Sequence, residues 1–367
     1  SHALSTGATK WTSQKAVCNA FHAFDALGVG DKARGRAVYT DCMVMHDAID
    51  ESLVGRIETG EAFRRRFGNP YAVIHRADIH LSLLEGAQES GRVSFHTNTR
   101  VVHVEQDDAR KTVTAIDQQG RRWTGQALIA ADGGKSVVRT QYVNDPPRVT
   151  GHVVYRAVVD RAEFPKDLQW NAASLWAGPK CHLVHYPLRG GEQYNIVVTF
   201  HSREQEQWGV TDGSKEEVES YFQGISPKAR QLIELPKTWK RWATADREPI
   251  ATWVFGRATL LGDAAHPTTQ YMAQGACMAM EDAVTLGEAL RVTNHDWDAA
   301  LQLYQRNRVT RTARIVLSGR EMGRLYHAAG VERLVRNSLW KGRSQERFYD
   351  ALEWLYGWNV ANCLQQA

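Results

Sequence analysis

The sequence predicts a mixed α/β fold: a parallel α/β domain, interrupted by a mostly antiparallel sheet and closed by C-terminal helices. Three observations carry this expectation. Residues 258–261 form an apolar run that enters Gly262-Asp263, passes a loop containing Pro267, and reaches Gln274-Gly275 at the head of an Ala-, Met- and Leu-rich helix. Residues 127–131, Ala-Leu-Ile-Ala-Ala, repeat that logic and end in Asp132-Gly133-Gly134 before a helix carrying Ser136 and Arg139. Between them, residues 148–247 hold long β-type runs separated by Pro and Gly turns. A strand that delivers an aspartate and glycines to a helix head offers backbone N–H groups at a strand end, where open α/β sheets bind ligands. Set about 130 residues apart, the two aspartate elements could serve one extended ligand from two sides.

In chain order, residues 1–17 are polar and without period. Residues 19–27 read as a short helix stopped by Gly28-Val29-Gly30. Residues 37–46 and 52–57 read as a hairpin around Asp47-Ala48-Ile49-Asp50, directed toward the inserted sheet. A strand at 71–74 meets an amphipathic helix at 77–90, with Arg76 at the junction. Consecutive strands follow at 92–105, 112–117 and 122–124. The inserted region has strands at 152–159, 173–176, 182–186 and 194–201, then helices at 215–223 and 227–235. One long helix spans 296 to about 328. A last helix at 344–362 carries Phe348, Tyr349, Trp354, Tyr356 and Trp358, which read as core packing. The chain therefore divides at 1–147, 148–247, 248–300 and 301–367, with the 37–70 hairpin reaching toward the second part.

Composition narrows the function. A hydrophobic fraction of 43% in 367 residues supports a real core. A net charge of +4 is no nucleic-acid signature. No apolar run approaches the ~18–20 residues of a membrane span, and residues 1–17 lack a signal-peptide core, so a cytoplasmic protein is expected. Five scattered cysteines without Cys-x-x-Cys exclude a disulfide framework or zinc ribbon. A homodimer is the common default.

The strand His182-Leu-Val-His-Tyr186 is the most chemical stretch of the insert. Residues two apart share a face, so His182 and Tyr186 point together and His185 points away. An imidazole and a phenol there could bind a hydroxylated aromatic, or could be satisfied polar groups of a sheet. The opposed His182 and His185, with no His-Glu-x-x-His and no clustered ligands, argue for no metal. His266 reads as structural, and His75 and His80 as capping or surface residues. A Gly-x-Ser-x-Gly nucleophile and a Walker loop are absent.

These motifs carry a resemblance. Gly262-Asp-Ala-Ala-His-Pro267, Ala273-Gln-Gly-Ala276 and Met280-Glu-Asp-Ala283 resemble the second FAD motif of the group A flavoprotein aromatic hydroxylases. Asp132-Gly133 with Ser136 and Arg139 is similar to that family's Asp-Gly motif, and Arg76 in Ile-His-Arg-Ala-Asp-Ile-His resembles its ribityl- or pyrophosphate-contacting position. Asn19-Ala20, Leu27-Gly-Val29 and Trp354-Leu-Tyr-Gly-Trp358 fit as well. The resemblance implies a Rossmann-like FAD-binding domain, FAD as cofactor, NADH or NADPH as electron donor, and a small aromatic carboxylate with O2 as substrates. It implies cofactor contacts at Arg76, Val101, Asp132, Asp263, Pro267, Gln274, Gly275 and Ala276. It places the ring-lining catalytic groups at His182, Tyr186 and Gln270. Within the family the likeness extends to the 3-hydroxybenzoate 6-hydroxylases, which form 2,5-dihydroxybenzoate; salicylate 1-hydroxylases share the flavin motifs. The family opens with a βαβ unit of roughly 30–35 residues bearing Gly-x-Gly-x-x-Gly. This sequence starts after it, so a flavin-free remnant without catalysis is the rival expectation.

Overall fold

A computed structural model of the chain describes residues 13–16 and 18–365. The expectation for residues 1–12 and for residue 17 lies outside the described residues. Ser13–Ala16 is a strand, β1, that the aperiodic sequence did not announce; it pairs antiparallel with a later strand. α1 (Cys18–Ala26) buries Ala20, Phe21, Ala23 and Phe24, and ends where Gly28 adopts a left-handed φ of 73°. After α2 (Gly30–Arg34) and β2 (Val38–Tyr39) comes the expected hairpin, β3 (Cys42–Asp47) and β4 (Leu53–Glu58). α3 (Glu61–Phe67) leads to β5 (Ala72–His75) and α4 (Arg76–Glu89). His75 caps α4, its ring accepting the Ala77 N–H at 3.2 Å.

β6 (Val101–Asp107), β7 (Thr112–Asp117) and β8 (Arg122–Gly125) form a separate antiparallel sheet. Residues 92–100, expected to begin this strand set, are irregular; residues 91–98 are all exposed and have no neighbouring strand to bond. β9 (Leu128–Ala130) and α5 (Val137–Tyr142) follow. The inserted region contributes β10 (Arg148–Asp160), β11 (Ala172–Gly178), β12 (Cys181–Leu188), β13 (Gln193–His201), β14 (Gly209–Gly213), α6 (Lys215–Tyr221), α7 (Pro227–Glu234) and β15 (Trp239–Asp246). β14 and β15 were not expected, because Lys240 and Arg241 break the apolar pattern of β15. Tertiary pairing neutralises both: Lys240 meets Asp212, and Arg241 meets Glu206 at 2.6 Å.

These strands build an eight-stranded sheet in the order β14-β15-β10-β13-β12-β11-β3-β4. All neighbours are antiparallel except β11 and β3, so the early hairpin forms one edge of the later sheet. Alternation along β10 sends Val153 and Tyr155 to a core with α6 and α7. Val154, with Val184, Tyr186 and Val197, goes to the opposite face, where the core includes Cys277, Met278, Ile315 and Tyr356. That second face meets the rest of the molecule and carries the site.

β16 (Val254–Phe255) and β17 (Ala258–Leu260) lead through 3-10 turns at Gly262–Ala264 and Gln270–Met272 into α8 (Gly275–Val292). β17 pairs parallel with β9, Ala258 opposite Leu128 and Leu260 opposite Ala130. The two aspartate-bearing strand ends therefore lie side by side. α9 (Trp297–Tyr326), α10 (Gly330–Leu339) and α11 (Gln345–Tyr356) complete the chain. α10 was not expected. α11 stops at Gly357, short of the expected 362, and a separate 3-10 turn, Val360–Asn362, is capped by Asn359. Phe348, Tyr349, Tyr356 and Trp358 are buried, as core packing requires. Among the described residues, no helix is long and apolar enough to cross a membrane.

Candidate active site

The first half of the site grows from the ends of β9 and β17. Gly262 turns the chain at φ 63°, and its N–H donates to Asp282 Oδ2 at 3.0 Å. A Cβ at Gly262 would lie 3.1 Å from that of Ala279, so glycine lets the turn press against α8. Asp263 is exposed, and its Oδ1 is 3.9 Å from where a Cβ on Gly275 would stand. Its carboxylate thus sits at the head of α8. Pro267 is buried and comes within 3.6 Å of the Cβ position of Gly134, so the two aspartate loops touch. Asp132 is exposed and accepts the Val137 N–H at 2.8 Å, which caps α5. The buried Arg139 donates to the carbonyls of Ala264 and Ala265 at 3.2 and 2.6 Å, pinning α5 to the Gly262 turn.

At the head of α8, Ala273 adopts a left-handed φ of 54° and aims the chain into the helix. Gln274 is fully buried. Its Oε1 accepts from Asn19 Nδ2 at 2.8 Å, while its Nε2 has no hydrogen-bond partner among the described residues. Gly275 and Ala276 are half-buried in the first turn, where helix geometry leaves N–H groups without partners. A buried ion network supports this head. Asn19 also donates to Glu281 at 2.7 Å, Arg311 binds Glu281 at 2.8 Å, and Arg308 binds Asp282 at 2.6 Å. His266 Nε2 meets Asp282 at 2.6 Å, the structural part expected of it. Burial alone would raise Asp282; the charges of His266 and Arg308 and the bonds from His266 and Gly262 overcome that and hold it at about 2.

The second half lies on the sheet face. His182 and Tyr186 are both buried and point the same way, while His185 faces Phe164 and Trp170, where burial pushes it down to about 3. His182 stands opposite Thr199 in the β12–β13 register, and Gln270 Nε2 donates to Thr199 Oγ1 at 3.4 Å. Directly opposed strand residues have Cβ atoms about 4.5–5.5 Å apart. The turn that begins at Gln270 is thereby docked over His182. His182 Nδ1 is hydrogen-bonded to His327 Nε2 at 2.7 Å, and the rings of Tyr271 and Tyr326 are each 5.5 Å away.

The fold thus brings Asp132, Asp263, Pro267, Gln274, Gly275 and Ala276 to one edge, and His182, Tyr186 and Gln270 to the adjoining face. Arg76 is exposed at the first residue of α4, within electrostatic reach of Arg156 on β10, which also feels Tyr186. Val101 starts β6 and packs on the core of Ala130 and Leu260, behind the strand ends.

Comparisons with known proteins show the family. The model of the FAD binding domain family matches residues 12–318. The chain is 78% identical over 346 residues to the 3-hydroxybenzoate 6-hydroxylase of Polaromonas naphthalenivorans (strain CJ2), covering 94% of this chain and 86% of that one. It is 62% identical over 349 residues to the 3-hydroxybenzoate 6-hydroxylase of Klebsiella oxytoca, covering 95% and 87%. Among solved structures, a salicylate hydroxylase substrate complex superposes with a TM-score of 0.82 at 25% identity, covering 96% of this chain and 90% of that one.

The chain belongs to the group A FAD-dependent aromatic hydroxylases. The residues of this hydroxylase fit FAD. The buried Gln274 Nε2 awaits an acceptor, the α8 head favours negative charge, and Asp263 offers a carboxylate beside it. Several of the hydroxylase's supporting residues escaped the sequence reading: Arg308 and Arg311 around α8, and Thr199 and His327 around His182. Arg308 and Arg311, three apart on a helix, and the mid-helix pair Glu281-Asp282 were the available signal. The expectation of no metal-ligand set rested on spacing along the chain. Folding gathers His152, His201 and His327, which are distant in sequence.

Proposed function

We propose that this hydroxylase acts on 3-hydroxybenzoate and places the new hydroxyl at C6, giving 2,5-dihydroxybenzoate. The observation that carries the reading is the docking of Gln270 on Thr199, opposite His182, which gathers an imidazole and an amide over one buried sheet face. The names and identities of the two hydroxybenzoate hydroxylases support the substrate class.

In this reading, Gln274 Nε2 and the N–H groups of Gly275 and Ala276 would hold FAD by hydrogen bonds to its acceptors. Asp263 accepts from a sugar-like hydroxyl, Pro267 shapes the loop against the ring, and Arg76, Val101 and Asp132 serve the remainder of the cofactor. Bound FAD supplies two-electron transfer from NADH and the activation of O2, which a side chain cannot. Overall, substrate, O2, NADH and a proton give the dihydroxy product, water and NAD+.

The chain's own contribution is to prepare the ring. His182 meets the phenolic hydroxyl through Nε2, since Nδ1 is held by His327, and draws its proton. The electron density released onto the ring is greatest ortho and para to that oxygen. C6 is the para carbon, opposite the hydroxyl-bearing C3, so holding the ring by Tyr186 and Gln270 selects it. The two residues grip the carboxylate and fix the ring's rotation. The sheet face beneath is apolar, with Val154, Val184 and Val197, and excludes water.

The test is product analysis. Purified protein with FAD, NADH and 3-hydroxybenzoate is expected to yield 2,5-dihydroxybenzoate with matched NADH consumption. Catechol from salicylate, with no turnover of 3-hydroxybenzoate, would overturn the reading in favour of decarboxylating hydroxylation. Protein that takes up no flavin would overturn the reading.

A further inference from the structure

We propose that His152, His201 and His327 form a binding site for a divalent transition ion of the zinc, nickel or copper kind. His152 on β10 and His201 at the end of β13 are direct register partners, and their Nε2 atoms face each other. His327 follows α9 and brings a third ring from across the interface between helix and sheet. One ring nitrogen from each lies within 4.8 Å of the others. His327 is buried, and its Nδ1 has no hydrogen-bond partner among the described residues.

Imidazole nitrogens suit these ions, and three of them with one open position make a familiar donor number. Ligands of a tetrahedral zinc ion stand roughly 3.4 Å apart on ~2.0–2.1 Å bonds. Binding therefore adjusts the rings to that spacing, and His201, the exposed member, has the room to move. Solvent at that side supplies the fourth ligand. His152 has the outer-shell partner such sites use: its Nδ1 is hydrogen-bonded to Tyr271 Oη, and donating that proton turns the Nε2 lone pair toward the cluster. Of the cations nearby, Arg148 is paired with Asp246 and Arg336 with Asp47, which leaves Lys180 at the solvent edge as the charge opposing a dication.

The site is wired to His182. Coordination through His327 Nδ1 puts that ring's proton on Nε2, where it is donated to His182 Nδ1. His182 then carries its own proton on Nε2 and meets a phenol as a donor, not as an acceptor. Metal occupancy is accordingly inhibitory, a consequence that rests on the proton-accepting part proposed above for His182.

The experiment titrates flavin-loaded, full-chain protein with Zn2+ alone, by calorimetry and by competition with a chromophoric chelator. The same samples are assayed for NADH-coupled hydroxylation with and without Zn2+. One equivalent is expected to bind, and His201→Gln is expected to weaken binding by at least about tenfold while keeping the zinc-free rate. His152→Gln should weaken binding likewise. Zn2+ should slow the native enzyme and leave His201→Gln untouched. No binding, or equal binding by both variants, overturns the site. Binding without inhibition keeps the site and overturns its link to His182. Binding by a protein that hydroxylates nothing even without zinc supports the site and counts against the proposed function alone.

Discussion

Around the head of α8 the buried polar groups centre on a cluster of ions, and around His182 they do not. Glu281, Asp282, Arg308 and Arg311 lie buried on α8 and α9 with every charge opposed by another, and Asn19 and His266 complete their bonds. The sheet face holds imidazoles, phenols and a threonine: His182, Tyr186, Thr199, Tyr271 and His327. The difference has a physical consequence. Buried ions fix one geometry, because losing any partner strands a charge in a poorly solvating interior. Neutral groups each cost less to leave unpaired, so they can exchange partners when a ligand arrives. The cradle assigned to the cofactor is accordingly rigid, and the face assigned to the substrate is adaptable.

That contrast can be broken. Arg308→Met leaves Glu281 and Asp282 under-compensated, and denaturant unfolding should show a loss of about 3–5 kcal/mol. A loss below about 1 kcal/mol, the range of exposed pairs, would erase the distinction between the two regions. On the other side, His182→Ala should lower turnover by about 10²–10⁴-fold, with a much smaller change in unfolding free energy than Arg308→Met. Retention of full, coupled hydroxylation would remove His182 from the chemistry.

Acid sharpens the comparison further. Asp282 is held at about 2 in the fold against an ordinary 3.8, so the folded state favours its charged form. Its contribution to stability is complete above the ordinary value and is lost as pH falls from there through about 2. Unfolding followed between pH 5 and pH 2 should therefore steepen in that window, and Asp282→Asn should flatten the slope while lowering stability at neutral pH. An unchanged slope in the variant would mean that other carboxylates set the acid limit. The smallest expected effect is at the join of the two regions. Ala273→Gly relieves the left-handed φ of 54° and should raise stability by up to about 1 kcal/mol. A decrease in Tm would show that the Ala273 methyl matters more than the backbone strain.

Much of this site was legible from local pattern. A period of two put His182 and Tyr186 on one face and His185 on the other, and the structure keeps that arrangement. The Gly262-Asp263 turn and the helix beginning at Gly275 were readable because glycine, proline and an apolar helical stripe act within a few residues. Other features had no local signal. His182 and His327 are 145 residues apart, and Asn19 and Gln274 are 255 apart. β15 looked too charged to be a strand until Asp212, Glu206 and Glu217 were placed beside it.

By itself, the sequence determined many of the elements, which side chains of a strand share a face, and which turns expose a helix head, since those follow from backbone sterics and short-range periodicity. Only the tertiary structure decided that β9 and β17 lie side by side, that β3 pairs parallel with β11, and that Gln270 rests over His182. It alone decided that three histidines from β10, β13 and the end of α9 meet. Those are contacts between distant segments, chosen by the joint burial of a common core, and no stretch of chain carries that information alone.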